Sequence, residues 1–272
     1  MKKRARAAWK ARDPPARPAE YRAVRSIVRK LVPELRANGA RAVLLAGSWA
    51  RGDARRESDI DLWVLGARSG EEERWHAPFV LSLLYTNARA ERAKLTNPRH
   101  IGGAVPGWRV AVPVFDPYRT ARRIQTEAQR FRWNAVAASC DRWVGREMGR
   151  WAEEVVKLVR ALGAGQDATA AVQRNLIADA LGFVMATHQR KFWDSENESW
   201  ERIGRAVGGP WARAQRAALG IPGGRLVPSC AAALRLYALT ARAVAPTLSP
   251  NDREIAAHAC RTAGMPEPPA SR

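Results

Sequence analysis

The chain has 272 residues, 46 Lys and Arg against 26 Asp and Glu, and a formal net charge of +20. That length accommodates one large domain or two ordinary ones, each with its own core. The longest weakly polar stretch, Leu176 to Thr187, is interrupted by Asp179 and is too short to span a bilayer, and the charged N-terminus lacks the apolar segment of a signal peptide.

Three cysteines, Cys140, Cys230 and Cys260, are far apart and have no metal-ligand spacing. Together these features predict a cytoplasmic protein with no membrane partner. The charge invites a nucleic-acid reading, because clustered Lys and Arg neutralise phosphates. Only seven of the 46 basic residues are Lys, however, and Arg is scattered without an Arg/aromatic comb. The excess therefore reads as compositional, and nucleic acid is not the favoured partner. The dense basic cluster at Lys2, Lys3, Arg4, Arg6, Lys10 and Arg12 is expected to be a disordered leader over residues 1–17.

From Pro18 to Asn38 apolar residues recur at helical spacing through Tyr21, Val24, Ile27, Val28, Leu31 and Leu35, with Pro33 as a candidate kink. Asn38-Gly39 supplies the stop signal. A short strand follows at Val43–Leu45, ends in Gly47-Ser48, and is succeeded by a second strand, Asp59-Ile60-Asp61-Leu62-Trp63-Val64-Leu65. Side chains alternate along a strand, so Asp59 and Asp61 share one face. Two neighbouring carboxylates repel, and a divalent cation between them offsets that repulsion. Mg²⁺ takes one or two carboxylates together with substrate phosphates. Glycine at the strand end permits close backbone approach, and a short helix opening at Ser48 would present free amides to a phosphate.

Gly-Ser, ten residues, then Asp-Ile-Asp resembles the signature of the nucleotidyltransferase superfamily that includes DNA polymerase beta, in its branch of small kanamycin and streptomycin nucleotidyltransferases. The resemblance implies two Mg²⁺ ions and ATP or another NTP as co-substrate. It also implies transfer of a nucleoside monophosphate, AMP first among them, to a hydroxyl of a small-molecule acceptor. Asp59 and Asp61 would bind the ions, Gly47 and Ser48 would hold the terminal phosphates, and Arg51 would add charge. Antitoxin-type enzymes that AMPylate proteins share the pattern, and a non-catalytic nucleotide-binding regulator is the reading without chemistry.

Further along, Gly66 to Glu73 is polar and reads as a solvated loop, which sets Glu71 to Glu73 aside as site residues. Phe79 to Tyr85 is apolar enough for a third strand, Ala88 to Leu95 for a short helix, and Arg109 to Phe115 for a further strand after glycine and proline breaks at 102–107. Pro113 puts that last strand at an edge or bulge. It delivers Asp116, held extended by Pro117. By order and context Asp116 matches the third carboxylate that the resemblance implies. The competing reading is a turn residue, for which Asp-Pro is a common choice.

From Tyr118 onward the pattern is helical: 120–131, 135–162, 168–192, 198–207, 211–219, 227–245 and 251–262. The expected fold is α+β, with a small mixed-sheet nucleotidyltransferase domain at 18–118, an all-α helical bundle for the acceptor at 119–263 and a disordered tail at 264–272. In the resembling enzymes a base stands four residues before a lysine, which by spacing selects Glu153 ahead of Lys157. Helical geometry instead prefers Glu154, at the border of the apolar stripe through Met148, Trp151, Val155 and Leu158. Asp116 could serve as base without either. An acidic, aromatic stretch from Phe192 and Trp193 through Asp194, Glu196, Glu198 and Glu201 is a candidate acceptor patch; its plainer role is helix capping.

Overall fold

The computed structural model describes residues 18–193, 196–221 and 223–270, so the basic leader and part of the acidic stretch at 194–198 lie outside the described residues. Contacts divide the chain into two compact units, Met1–Asn97 with Ala104–Phe131 and Pro98–Gly103 with Arg132–Arg272.

The first unit opens with helix α1 (Pro18–Ala37), which runs through Pro33 without interruption. Next come β1 (Ala42–Leu45), a five-residue helix α2 (Gly47–Arg51), β2 (Ile60–Leu65), β3 (Gly70–His76) and β4 (Phe79–Thr86). Helices α3 (Ala88–Lys94) and α4 (Ile101–Val110), strand β5 (Val112–Phe115) and helix α5 (Thr120–Arg130) complete the order up to residue 131. The five strands form one mixed sheet in the order β3-β4-β2-β1-β5. β2 and β4 are parallel and the remaining neighbours antiparallel. The small mixed sheet followed by helices is the α+β architecture expected from the periodicities.

Alternation builds the core on one sheet face. Ile60, Leu62, Val64, Leu81, Leu83 and Tyr85 are buried there against Val24, Val28 and Leu35 of α1. The amphipathic spacing of α1 is what presents that apolar stripe. The opposite face carries Asp61 and Trp63 on β2, with Trp63 packed on the buried Trp108 of α4 at 5.0 Å between ring centroids. Trp108 is fixed in turn by Glu91, a buried carboxylate that accepts from the Trp108 indole (3.0 Å), Thr86 Oγ1 (2.9 Å) and Lys94 Nζ (2.6 Å).

Two elements differ from expectation. β3 begins within the stretch Gly66 to Glu73 that reads as a loop, and pairing with β4 sends its side chains to alternate faces. Glu72 and Arg74 lie on the α1 side, where Arg74 donates to Glu72 and to Glu34 of α1 (2.6 Å), while Glu71, Glu73 and Trp75 take the other face. Helix α4 occupies residues whose glycines and proline read as breaks. Its Gly102 and Gly107 instead make room for tryptophan: a Cβ at Gly102 would meet the Trp193 ring at 1.9 Å, and one at Gly107 the Trp63 ring at 3.1 Å.

In the second unit, α6 (Ala137–Gly163), α7 (Asp167–His188), α8 (Glu196–Val207), α9 (Gly209–Ala218), α10 (Leu226–Ala243) and α11 (Pro250–Thr262) enclose a core built on Met148, Val155, Leu158, Leu181, Leu236 and Tyr237. Two buried polar side chains tie the helices together: Tyr237 Oη donates to the Met148 carbonyl (2.8 Å) and Trp211 Nε1 to Thr240 Oγ1 (2.8 Å). Trp193, expected as a stacking surface in an acceptor patch, is buried against Phe183 and donates its amide to the Gly102 carbonyl (2.8 Å). Gly102→Ala is therefore expected to destabilise the protein by about 1–3 kcal/mol through overpacking, read as a lower urea midpoint.

Candidate active site

β1 ends at Leu45, and the chain turns sharply into α2 through Gly47, whose φ is +58°. The turn is drawn against β2 by the Ala46 amide, which donates to the Asp61 carbonyl (2.9 Å). A Cβ on Gly47 would stand 1.6 Å from Asp61 Oδ2 and 2.6 Å from its Cγ. The absence of a side chain at residue 47 is thus what lets the Asp61 carboxylate lie directly on the backbone of the Gly-Ser turn. Glycine is required twice, by the left-handed conformation and by this contact. Ser48 sits in the first turn of α2, as the sequence predicts, and no side chain caps that end of the helix among the described residues.

The loop from α2 to β2 is tied back to the core. Trp49 packs edge-on between Tyr21 and Phe79, and its indole donates to the Ser58 carbonyl (3.3 Å). Ser58 Oγ accepts from the Arg55 amide (2.9 Å). Asp59 follows at once, exposed and two residues before Asp61, so the two carboxylates flank the buried Ile60 and share the opposite face. Arg51, at the end of α2, forms an ion pair with Asp53 (3.2 Å).

Sheet register tests the third carboxylate. Asp61 follows the Leu45↔Leu62 pairing by one step and is level with Ala46, whereas Asp116 follows the Val43↔Phe115 pairing and is level with Ala42. The two therefore lie at opposite ends of β1, four residues or roughly 13 Å apart along the strand direction. The structure does not bring Asp116 to the Asp59/Asp61 pair. Its Oδ2 accepts from the Arg122 amide (3.0 Å) and its carbonyl from Arg119 N (3.1 Å), so it acts as the turn and helix-start residue of α5. The expectation that Asp116 is a metal ligand or base is corrected accordingly: β5 runs parallel to β2, so its C-terminal end is remote from the start of β2.

On β4, directly beside Asp61, the matching position is Ser82, and beyond it on β3 is Glu73. Glu73 thus shares the face of Asp61 two strands away. The run Glu71-Glu72-Glu73 carries no alternation of polarity that would mark Glu73 as a strand residue; pairing with β4 does so. Among the described residues no three His, Cys, Asp or Glu side chains are grouped closely enough to hold an ion alone. The donor set at this site is two hard carboxylate oxygen donors on one face, which fits a cation completed by phosphates.

Glu154 and Lys157 lie in the second unit, on α6. Lys157 Nζ bonds Glu153 (2.9 Å) and Glu154 (3.1 Å), and the Glu153 hydrogen bond, then that of Glu154, holds the ammonium above its usual pKa. As helical geometry predicts, Glu153 is exposed and Glu154 half-buried. Glu154 Oε2 is buried with no hydrogen-bond partner among the described residues. One face of α6 carries Glu147, Trp151 and Glu154 in successive turns. Glu147 and Trp151 line a cavity of about 400 Å³ within this unit, together with Trp143, Asp179, Phe183 and Trp193. The Glu147 carboxylate accepts from the Trp151 indole (3.0 Å).

This geometry can be set beside known proteins. Residues 23–102 match the nucleotidyltransferase domain family model. The matched segment contains the Gly47-Ser48 turn, Asp59 and Asp61, and the match supports nucleotidyl transfer as the general class of function. A solved structure described as a nucleotidyltransferase-like protein from Exiguobacterium sibiricum 255-15 aligns with 89% of this chain and 80% of its own, with a TM-score of 0.51 and 10% sequence identity. At that identity the likeness concerns the fold. No curated protein sequence matches the chain. No helix among the described residues is long and apolar enough to cross a membrane.

Proposed function

We propose that the protein transfers a nucleoside monophosphate, AMP from ATP in the first instance, to a hydroxyl of a small-molecule acceptor, as kanamycin-type nucleotidyltransferases do. The observation that carries this reading is the contact between Gly47 and the Asp61 carboxylate, which joins the two halves of the motif into one site. Asp59 and Asp61 would hold Mg²⁺. When bound, the metal neutralises phosphate charge and stabilises the attacking and leaving oxygens of an in-line displacement.

The residues of the chain have distinct parts in that reaction. The Gly47 backbone and Ser48 hold the terminal phosphates beside β1, which orients the leaving pyrophosphate. Asp59 and Asp61 set the position of the α-phosphate at the start of β2. The acceptor oxygen forms the new bond to the α-phosphorus, the bond to the bridging oxygen breaks, and the acceptor proton passes to a base. For that base we retain Glu154, because Lys157 holds one of its oxygens while the other is buried without a partner among the described residues. The cavity lined by Glu147 and Trp151, one of several in the helical unit, is within the volume range of small-ligand pockets, which is compatible with a small-molecule acceptor.

The test is incubation with Mg²⁺ and each α-labelled NTP, in turn with small-molecule pools, protein and tRNA. Label is expected in the small-molecule fraction, with ATP as the best donor. Label on protein or tRNA alone would overturn the acceptor class, and no label from any NTP would overturn the reaction.

A further inference from the structure

Trp75 is a large apolar side chain in open view: on β3 it is 72% exposed, and its cross-strand partner Val80 on β4 is 40% exposed. Burying or stacking a tryptophan is strongly favourable, so one left this open on a sheet edge calls for an account.

Register gives its place. Ile60 pairs with Leu81, so Asp59 is level with Val80, and Val80 pairs with Trp75. Leu81 and Ile60 are buried in the α1-side core, which puts Asp59, Val80 and Trp75 together on the opposite face. The row Asp61, Ser82, Glu73 runs beside them on that same face. Trp75 therefore lies two strand spacings, about 10 Å, from Asp59. The Gly47-Ser48 turn stands on the other side of β2, at the end of β1.

We infer that Trp75, backed by Val80, is the platform on which the base of the nucleotide donor stacks. The inference rests on the reading of Asp59 and Asp61 as the α-phosphate site. With the terminal phosphates over the end of β1 and the α-phosphate at the start of β2, the nucleoside extends across β4 to β3. The separation of Asp59 and Trp75 is roughly the reach of a nucleoside from its 5′ oxygen to the far edge of its base. The base is the one flat apolar surface of an NTP. Among the described residues, the other large hydrophobic residues exposed in this unit are Val110, the last residue of α4, and Tyr118, two residues past Asp116; neither is on β2, β3 or β4. Stacking on a tryptophan tolerates any base, because every base has a π-face. The platform holds the nucleoside while base identity is read elsewhere.

The test uses the full chain, Mg²⁺ and two probes, α,β-methylene ATP and inorganic tripolyphosphate, with binding measured by titration calorimetry. Trp75→Ala is expected to weaken the ATP analogue by about tenfold or more while leaving tripolyphosphate unchanged. Trp75→Phe, which keeps a stacking ring, is expected to recover most of the loss. Equal weakening of both probes would mean a merely structural role and overturn the platform, as would unchanged binding of the analogue. Failure of the reaction itself reads out separately. Selective loss of analogue binding in a protein that transfers no label would keep the platform and remove the transferase reading. Full analogue binding by Trp75→Ala in a protein that does transfer label would do the reverse.

Discussion

Asp61→Asn is expected to reduce nucleotide transfer on the order of 10³-fold or more, about 4 kcal/mol of transition-state stabilisation, while the protein stays folded. The substitution keeps size and one acceptor oxygen but removes the negative charge that a hard cation needs. Because the Asp61 side chain lies on the Gly47 backbone and not in the α1-side core, unfolding temperature and far-ultraviolet dichroism are expected to stay near wild type. Asp59→Asn, at the exposed member of the pair, is expected to behave likewise. Retention of full transfer by both variants would remove the carboxylates from the reaction.

The second large effect belongs to Gly47→Ala. A methyl group there would meet Asp61 Oδ2 at 1.6 Å and would also occupy a left-handed backbone conformation. The strain is expected to cost about 1–3 kcal/mol of stability. The carboxylate must swing off the turn, and a displacement of about 1 Å at a reacting centre is enough to lose roughly 10²-fold in rate. A double-mutant cycle separates the two causes. In an Asp61→Gly background the clash is gone and only the left-handed penalty remains, about 1–2 kcal/mol. The stability cost of Gly47→Ala should therefore be smaller in that background than in wild type. An equal cost in both would show that the contact between turn and carboxylate exerts no strain.

Both expectations rest on residues that the sequence singles out. Gly47-Ser48 and Asp59-x-Asp61 are readable because their meaning is local. A glycine after an apolar strand and two carboxylates two apart on the next strand constrain backbone and side-chain direction within a few residues. The same holds for the helices after residue 118, whose apolar spacing repeats over many turns, and for the choice of Glu154 over Glu153 as the half-buried carboxylate. The α+β division follows from such patterns directly.

What escaped local reading was set by partners distant in the chain. Asp116 has the context of a site carboxylate, but strand direction sends it to the far end of β1, where it starts α5 instead. Glycines 102 and 107 look like helix breakers until the rings of Trp193 and Trp63 fill the space that a Cβ would take. Glu73 looks like part of a solvated loop until pairing with β4 makes a strand of it and Trp75 and aligns them with Asp61 and Asp59. The sequence by itself determined the nucleotide-transfer motif and the order of helices and strands, since periodicity and turn chemistry act over a few residues. Only the tertiary structure decided which carboxylates and which tryptophan share one face of the sheet, because that is settled by register and strand direction between segments far apart in the chain.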